Sequence, residues 1–259
     1  MPGEAREGLV CKVAVVTGGG TGIGRAVARA LADEGYAVVI GGRTLASLED
    51  SAAARAGIVA VETDVSREAD VERLFEACDE RFGRLDVLVN NAGVTGPVCG
   101  VEAMDTTAWE ETFAINVRGV MLCIKHAIPR LKVAGGGAIV NISSLMGLRG
   151  QPMRSAYAAT KFAVIGITES VAHEVGIHNI RVNALCPGAV NGELMGRVVA
   201  RRAEVEGRSP EEITGKYTDV AALRRWVEPE EVARAVVFLA SDGAGAITGE
   251  RIKVDAGRL

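Results

Sequence analysis

Short runs of β-branched and aliphatic residues recur along this chain, and each is followed by a longer stretch with helical periodicity. That alternation constrains the fold more than any other feature. The runs at 11–17, 37–40, 58–61, 85–89, 138–142, 180–185 and 251–254 read as strands. The stretches at about 22–34, 45–56, 67–82, 109–131, 155–176 and 229–239 read as helices, the first of them stopped by Gly35. The strands are apolar throughout rather than every second residue, so they are buried on both faces. Strand and helix in strict turn predict an α/β fold: a single doubly wound domain with a parallel, seven-stranded, Rossmann-like sheet. Residues from about 193 to 225 interrupt the pattern with a charged helical insertion. No linker, tandem repeat or low-complexity segment divides the 259 residues, so 1–259 is read as one domain, with 1–9 a loose tail.

The remaining bulk properties exclude several classes of function. A net charge of -4 argues against a nucleic-acid binder. No apolar run is long enough to span a bilayer, and the first residues lack the hydrophobic core of a signal peptide. The five cysteines (Cys11, Cys78, Cys99, Cys123, Cys186) are odd in number and without CxxC spacing, which predicts reduced thiols and a cytoplasmic protein. His126, His173 and His178 are spread over separate helices without ligand spacing, so no metal is expected. Met146, Met153 and Met195 read first as packing material, and Trp109 and Trp226 as core or lid anchors.

Two local patterns carry chemistry. Thr17-Gly18-Gly19-Gly20-Thr21-Gly22-Ile23-Gly24 falls between the first strand and the first helix. A dinucleotide-binding fold needs a tight turn at that place, close backbone approach to a pyrophosphate, and a helix N-terminus aimed at it. The spacing is G-x-x-x-G-x-G, and an ordinary turn is the competing reading. Tyr157 and Lys161 lie four apart on a helix and leave the same face. An ammonium one turn away favours ionisation of a phenol, which suits a tyrosine for proton exchange with a carbonyl/alcohol pair. Upstream, the strand 138–142 delivers Ser143 and Ser144 to its carboxyl end.

Taken in order, these motifs resemble the short-chain dehydrogenase/reductase family over nearly the whole chain. The resemblance rests on TGxxxGIG at Thr17–Gly24, Asn90-Asn91-Ala92-Gly93, Ile115-Asn116-Val117, Ser143-Ser144, Tyr157 with Lys161, and Pro187-Gly188. It implies hydride transfer between a nicotinamide cofactor and an alcohol or ketone, with Asn116, Ser144, Tyr157 and Lys161 as the catalytic set. Tyr157 is then the general acid or base, Lys161 tunes it and binds the ribose, Ser144 donates to the substrate oxygen, and Asn116 holds a relay water. Ser143 is left to pack or to bond with backbone. The cofactor would meet Gly18, Thr21, Gly22, Ile23, Gly24, Arg43, Asp64, Val65, Asn91, Ala92, Gly93, Tyr157, Lys161, Pro187, Gly188 and Val190. Asp64 also reads as the cap of the next helix, a role that suits Ser66 better.

The second strand ends Gly41-Gly42-Arg43, without the acid that NAD-selective members use, so NADP(H) is favoured and NAD(H) is the runner-up. The threonine that members carry after the Pro-Gly turn is replaced by Gly192, so Asn191 or a backbone amide is expected to take over its contact. The substrate is a small alcohol or carbonyl compound; 3-oxoacyl thioesters, sugars or polyols, and hydroxysteroid-like compounds all remain open. A nucleotide-binding regulator without turnover is the alternative in another class, and the presence of both Tyr157 and Lys161 counts against it. Helices 109–131 and 155–176 are apolar over more of their surface than one sheet needs, which with the resemblance predicts a homo-oligomer, a tetramer ahead of a dimer. Residues 191–226 occupy the place of the family's substrate lid. Arg197 and Arg201 there, with Arg149 and Arg154 before Tyr157, either hold an anionic substrate or face solvent, and the solvent reading comes first.

Overall fold

The computed structural model describes residues 11–53 and 55–258, and the expected tail at 1–9 lies outside them. The strands are β1 (Val13–Thr17), β2 (Ala37–Gly42), β3 (Ile58–Glu62), β4 (Val87–Asn90), β5 (Gly137–Ile142), β6 (Ile180–Pro187) and β7 (Arg251–Val254). They form one sheet in the order β3-β2-β1-β4-β5-β6-β7, every neighbouring pair parallel. The helices are α1 (Gly22–Asp33), α2 (Leu45–Ala53), α3 (Glu68–Phe82), α4 (Thr106–Phe113), α5 (Gly119–Val133), α6 (Ser155–Val175), α7 (Glu193–Glu206), α8 (Pro210–Thr218) and α9 (Pro229–Ala240).

Successive side chains of a strand leave opposite faces of the sheet. Val13 and Val15 of β1 therefore join one core, with Leu74 and Phe75 of α3, Leu122 of α5 and Val164 of α6. Ala14 and Val16 join the other, with Val27 and Leu31 of α1 and Val232 and Val236 of α9. Two covered faces explain why the strands read as continuous apolar runs. The strand order reverses between β1 and β4, and that switch point opens a crevice at the carboxyl ends of the strands.

The long helix expected at 109–131 is interrupted. It begins at Thr106, where the Asp105 carboxylate accepts from the Ala108 backbone N–H at 2.8 Å, and it passes through a π turn at Ala114–Arg118 before α5. A π turn lodges one extra residue in a helix, and such turns recur at functional sites. Asn116 is within this one, tied to chain outside its own helix.

The insertion after β6 folds as α7 and α8 around a small core of its own: Val199, Ala203, Ile213 and Tyr217, with Met195 and Trp226 against it. A bridge between Val190 and Val227 closes its base. Ser209, Pro210 and Glu212 start α8 with a complete capping box.

Candidate active site

The carboxyl ends of β1, β4, β5 and β6 open onto one cleft of about 670 Å³. Gly18, Thr21, Gly22 and Ile23 form one wall, and Asn91, Ala92 and Gly93 form its floor. Ser144, Tyr157 and Lys161 form the next wall, and Pro187, Gly188 and Val190 the far side.

The glycine wall is held by its backbone. Gly18 has φ +68° and Gly22 φ +51°, values that a side chain rarely accepts. A β-carbon on Gly24 would lie 2.1 Å from the Gly18 carbonyl oxygen, so the first turn of α1 packs directly on the loop. Nothing stands within 4 Å of the equivalent point at Gly22, on the cleft side. Thr21 precedes α1 without a side-chain cap, which leaves the first N–H groups of the helix aimed into the cleft. The Asn91 amide donates to the Thr17 and Gly18 carbonyls at 3.0 and 3.2 Å, and the Thr17 hydroxyl accepts from the Asn91 and Ala92 N–H groups, both at 3.1 Å. Thr17 thus splices the two loops, a role that the sequence reading missed.

The opposite wall is built from side chains. Lys161 is buried and donates to the Ile142 carbonyl at 2.8 Å, which occupies one of its three donors. Its ammonium lies 5.6 Å from the centre of the Tyr157 ring. Ser144 Oγ accepts from the Met146 N–H at 3.1 Å and keeps its own proton for the cleft. Ser143 is buried and donates to the Lys161 carbonyl at 2.9 Å, as expected of a packing serine. Asn116 is also buried: Oδ1 accepts from Val94 N–H at 2.8 Å, while Nδ2 donates to Val94 O and to Thr160 Oγ1. A β-carbon on Gly93 would lie 3.2 Å from Asn116 Oδ1 and 3.7 Å from Lys161 Nζ, so this glycine keeps the gap between the two open.

Several expected residues stand elsewhere. Val65 turns its side chain into the core, against the Cα face of Gly119, and is not among the residues that line the cleft. Asp64 does not cap α3, and neither does Ser66. Asp64 Oδ1 accepts from Ser66 N–H and Oγ at 3.0 and 2.7 Å, and Arg67 is the capping position, without a side-chain bond. Arg43 is exposed at the end of β2 with no ion pair among the described residues. Asn191 borders the cleft with its Nδ2 given to the Glu228 carboxylate at 3.1 Å, so its Oδ1 and the local backbone are what stand in the place of the missing threonine.

The arginines divide. Arg201 pairs with Glu204 at 2.9 Å away from the cleft, and Arg197, exposed at the cleft rim, pairs with Glu193 at 3.5 Å. Arg154 instead is buried, with its guanidinium 5.0 Å from the Tyr157 ring centre. Met146 and Met195 line the cleft. So do Tyr217 and Arg258, which no motif marked.

The model of the enoyl-(acyl carrier protein) reductase family matches residues 18–258. Cis-4-hydroxycyclohexanecarboxylate dehydrogenase of Sinomonas cyclohexanicum is 41% identical over 97% of this chain and 98% of its own length. Among solved structures, NAD+-bound xylitol dehydrogenase superposes with a TM-score of 0.91 at 30% identity, covering 96% of this chain and 100% of its own. A single-substitution variant of actinorhodin polyketide ketoreductase with NADPH gives 0.91 at 32%, covering 95% and 97%. The chain belongs to the short-chain dehydrogenase/reductase family. It is an NAD(P)-dependent oxidoreductase that acts on an alcohol/ketone pair.

A nicotinamide cofactor fits the cleft of this family member on its own geometry. The open face at Gly22 and the uncapped start of α1 suit a pyrophosphate, and the unspent donors of Lys161 suit a ribose. Among the described residues, no three His, Cys, Asp or Glu side chains gather as a metal site requires.

Proposed function

We propose that Tyr157 exchanges the proton with the substrate oxygen, that Ser144 donates a hydrogen bond to the same oxygen, and that Lys161 holds the cofactor ribose. Asn116 anchors the segment behind Lys161 and supports a water there. The observation that carries this reading is the single wall on which Tyr157, the free proton of Ser144 and the buried Lys161 meet the cleft. A bound nicotinamide supplies or accepts the hydride. As hydride reaches a ketone carbon the oxygen gains negative charge, and the Ser144 and Tyr157 hydroxyls are donors placed for it. The gap that Gly93 leaves between Asn116 and Lys161 is where a water would link them.

NADP(H) is the cofactor this reading favours, because β2 ends in Gly42 rather than an acidic residue and is followed by Arg43, which has no ion pair among the described residues. The neighbours bound to NAD+ and to NADPH support a nicotinamide cofactor of either kind. The substrate is a secondary alcohol or its ketone, and the relative from Sinomonas directs attention to hydroxylated rings. Residues 191–226 act as the lid. A homo-oligomer follows from exposed Met121 on α5, Phe162 on α6 and Phe238 on α9, apolar side chains that one subunit leaves uncovered. The expected cytoplasmic location accords with free cysteines at all five positions, and no helix among the described residues is long and apolar enough to cross a membrane.

The test is a screen of purified protein with each cofactor against a panel of cyclic and acyclic secondary alcohols and ketones. Turnover with NADP(H) ahead of NAD(H) is expected. Binding of cofactor without turnover across the panel would favour the regulator reading instead.

A further inference from the structure

The substrate side of the cleft carries an excess of positive charge over the carboxylates that line it. Its lining holds four arginines and Lys161 against one carboxylate, Glu193, which already faces Arg197. Two of the arginines are unlike the rest. Arg154 is only 5% exposed; its Nη2 donates to the Thr95 carbonyl at 3.0 Å, and its Nε is buried without a partner among the described residues. Arg258 follows β7, with its guanidinium 5.3 Å from the centre of the Tyr217 ring and its own Nε likewise buried without a partner among the described residues.

Neither guanidinium forms an ion pair among the described residues. Arg202, on the same Tyr217 ring, shows what a satisfied arginine looks like here: Glu206 takes it at 2.5 Å. Burial, above all, pushes both Arg154 and Arg258 below their ordinary value, and the nearby Arg202 adds to this in each case. A guanidinium stays charged in a protein, so the cost of burying it falls on stability unless an anion arrives. The aromatic faces of Tyr157 and Tyr217 return part of that cost. Two buried guanidinium forks bordering one cleft, each with an unused donor and each repelled by Arg202, are an arrangement that a carboxylate satisfies.

We propose that Arg154 and Arg258 form a carboxylate seat, and that the substrate is a small hydroxy acid or its oxo acid. This rests on the reading of the cleft as the site of hydride transfer. Arg154 lies against the ring of Tyr157, so the carboxylate and the reacting carbon belong to one compact molecule, about the size of a substituted ring. Thioesters of long carriers fit this seat poorly, because their carbonyl end has no charge to offer it.

The inference is tested by binding and by turnover. Cyclohexanecarboxylate and cyclohexanecarboxamide are titrated calorimetrically into the protein saturated with cofactor, for the native chain, Arg258→Gln and Arg154→Lys. The carboxylate is expected to bind at least tenfold tighter than the amide in the native chain. Loss of one charge-assisted pair is expected to lower that preference about 10- to 100-fold. The ratio of kcat/KM for 4-hydroxycyclohexanecarboxylate to that for its amide should fall in step. Arg258 is half-buried near the end of the chain, so Arg258→Gln remains informative if Arg154→Lys does not fold. Equal binding of acid and amide, a preference that survives both substitutions, or a stronger preference for a phosphate analogue would overturn the carboxylate seat. Neutral alcohols turned over without any anion preference would overturn it and leave the oxidoreductase reading intact. Arginine-dependent carboxylate binding without turnover of any alcohol would uphold the seat and count against the assigned catalytic roles.

Discussion

The two walls of the cleft are made of different material. The nucleotide wall is backbone: the turn at Gly18–Gly24, the first N–H groups of α1 and the splice through Thr17 and Asn91. The substrate wall is side chain, with long cations and phenols drawn from the β5–α6 segment, from α8 and from the end of the chain beyond β7. Backbone walls tolerate almost no added atom, whereas side-chain walls tolerate shape changes and respond to charge. A cofactor common to a family suits the first kind. A substrate that differs between members suits the second.

The largest effect should come where the walls meet. Tyr157→Phe removes one oxygen and with it the proton donor, and a loss of about 10²- to 10⁴-fold in kcat is expected, with cofactor affinity retained. Substantial turnover in that variant, read by nicotinamide absorbance, would break the mechanism on both sides. Next, Gly24→Ala tests the claim that the nucleotide wall is backbone. Its methyl would meet the Gly18 carbonyl at 2.1 Å, so the loop must shift. Overpacking of this kind costs about 1–3 kcal/mol, and cofactor affinity should fall together with the melting temperature. Normal cofactor titration in a folded variant would show the loop to be softer than its contacts suggest.

Smaller effects sharpen the contrast. Arg43→Ala should weaken NADP(H) about tenfold, the loss of one charge-assisted contact, and leave NAD(H) within about twofold. A parallel loss for both cofactors would mean that Arg43 does not read the 2′-position. Smallest of all, Arg201→Ala should change kcat/KM and stability by less than about 1 kcal/mol, because its pair with Glu204 is open to solvent. A large loss there would show that α7 closes further over substrate than its surface pairs allow.

Legibility followed the same division. Seven strands, the position of the glycine loop and the spacing from Ser144 to Tyr157 to Lys161 are local facts. Periodicity and short spacing fix them, because a strand's burial and a helix's face depend on neighbours in sequence. Even there, local reading failed where a distant contact intervened. The helix expected to run unbroken from 109 to 131 takes a π turn where Asn116 is tied to Val94 and Thr160. Asp64 and Ser66 bond to each other rather than to the start of α3.

The arginines mark the boundary most clearly. By sequence, Arg197 and Arg201 were a matched pair on one helix face, and Arg154 was one residue of a loop. Folding split the matched pair, leaving Arg197 at the cleft rim against Glu193 and Arg201 on the surface against Glu204, and buried Arg154 against the ring of Tyr157. Arg258 stands 104 positions further along the chain, beside no motif, yet it reaches the same cleft because β7 packs parallel to β6 and carries the chain back to the strand ends. Sequence alone therefore determined the sheet, the cofactor loop and the spacing that sets Ser144, Tyr157 and Lys161 on one wall, since each is encoded by residues close together. Only the tertiary structure decided which charges border the cleft, because that depends on where segments far apart in the chain converge and on which cations find a carboxylate on the way.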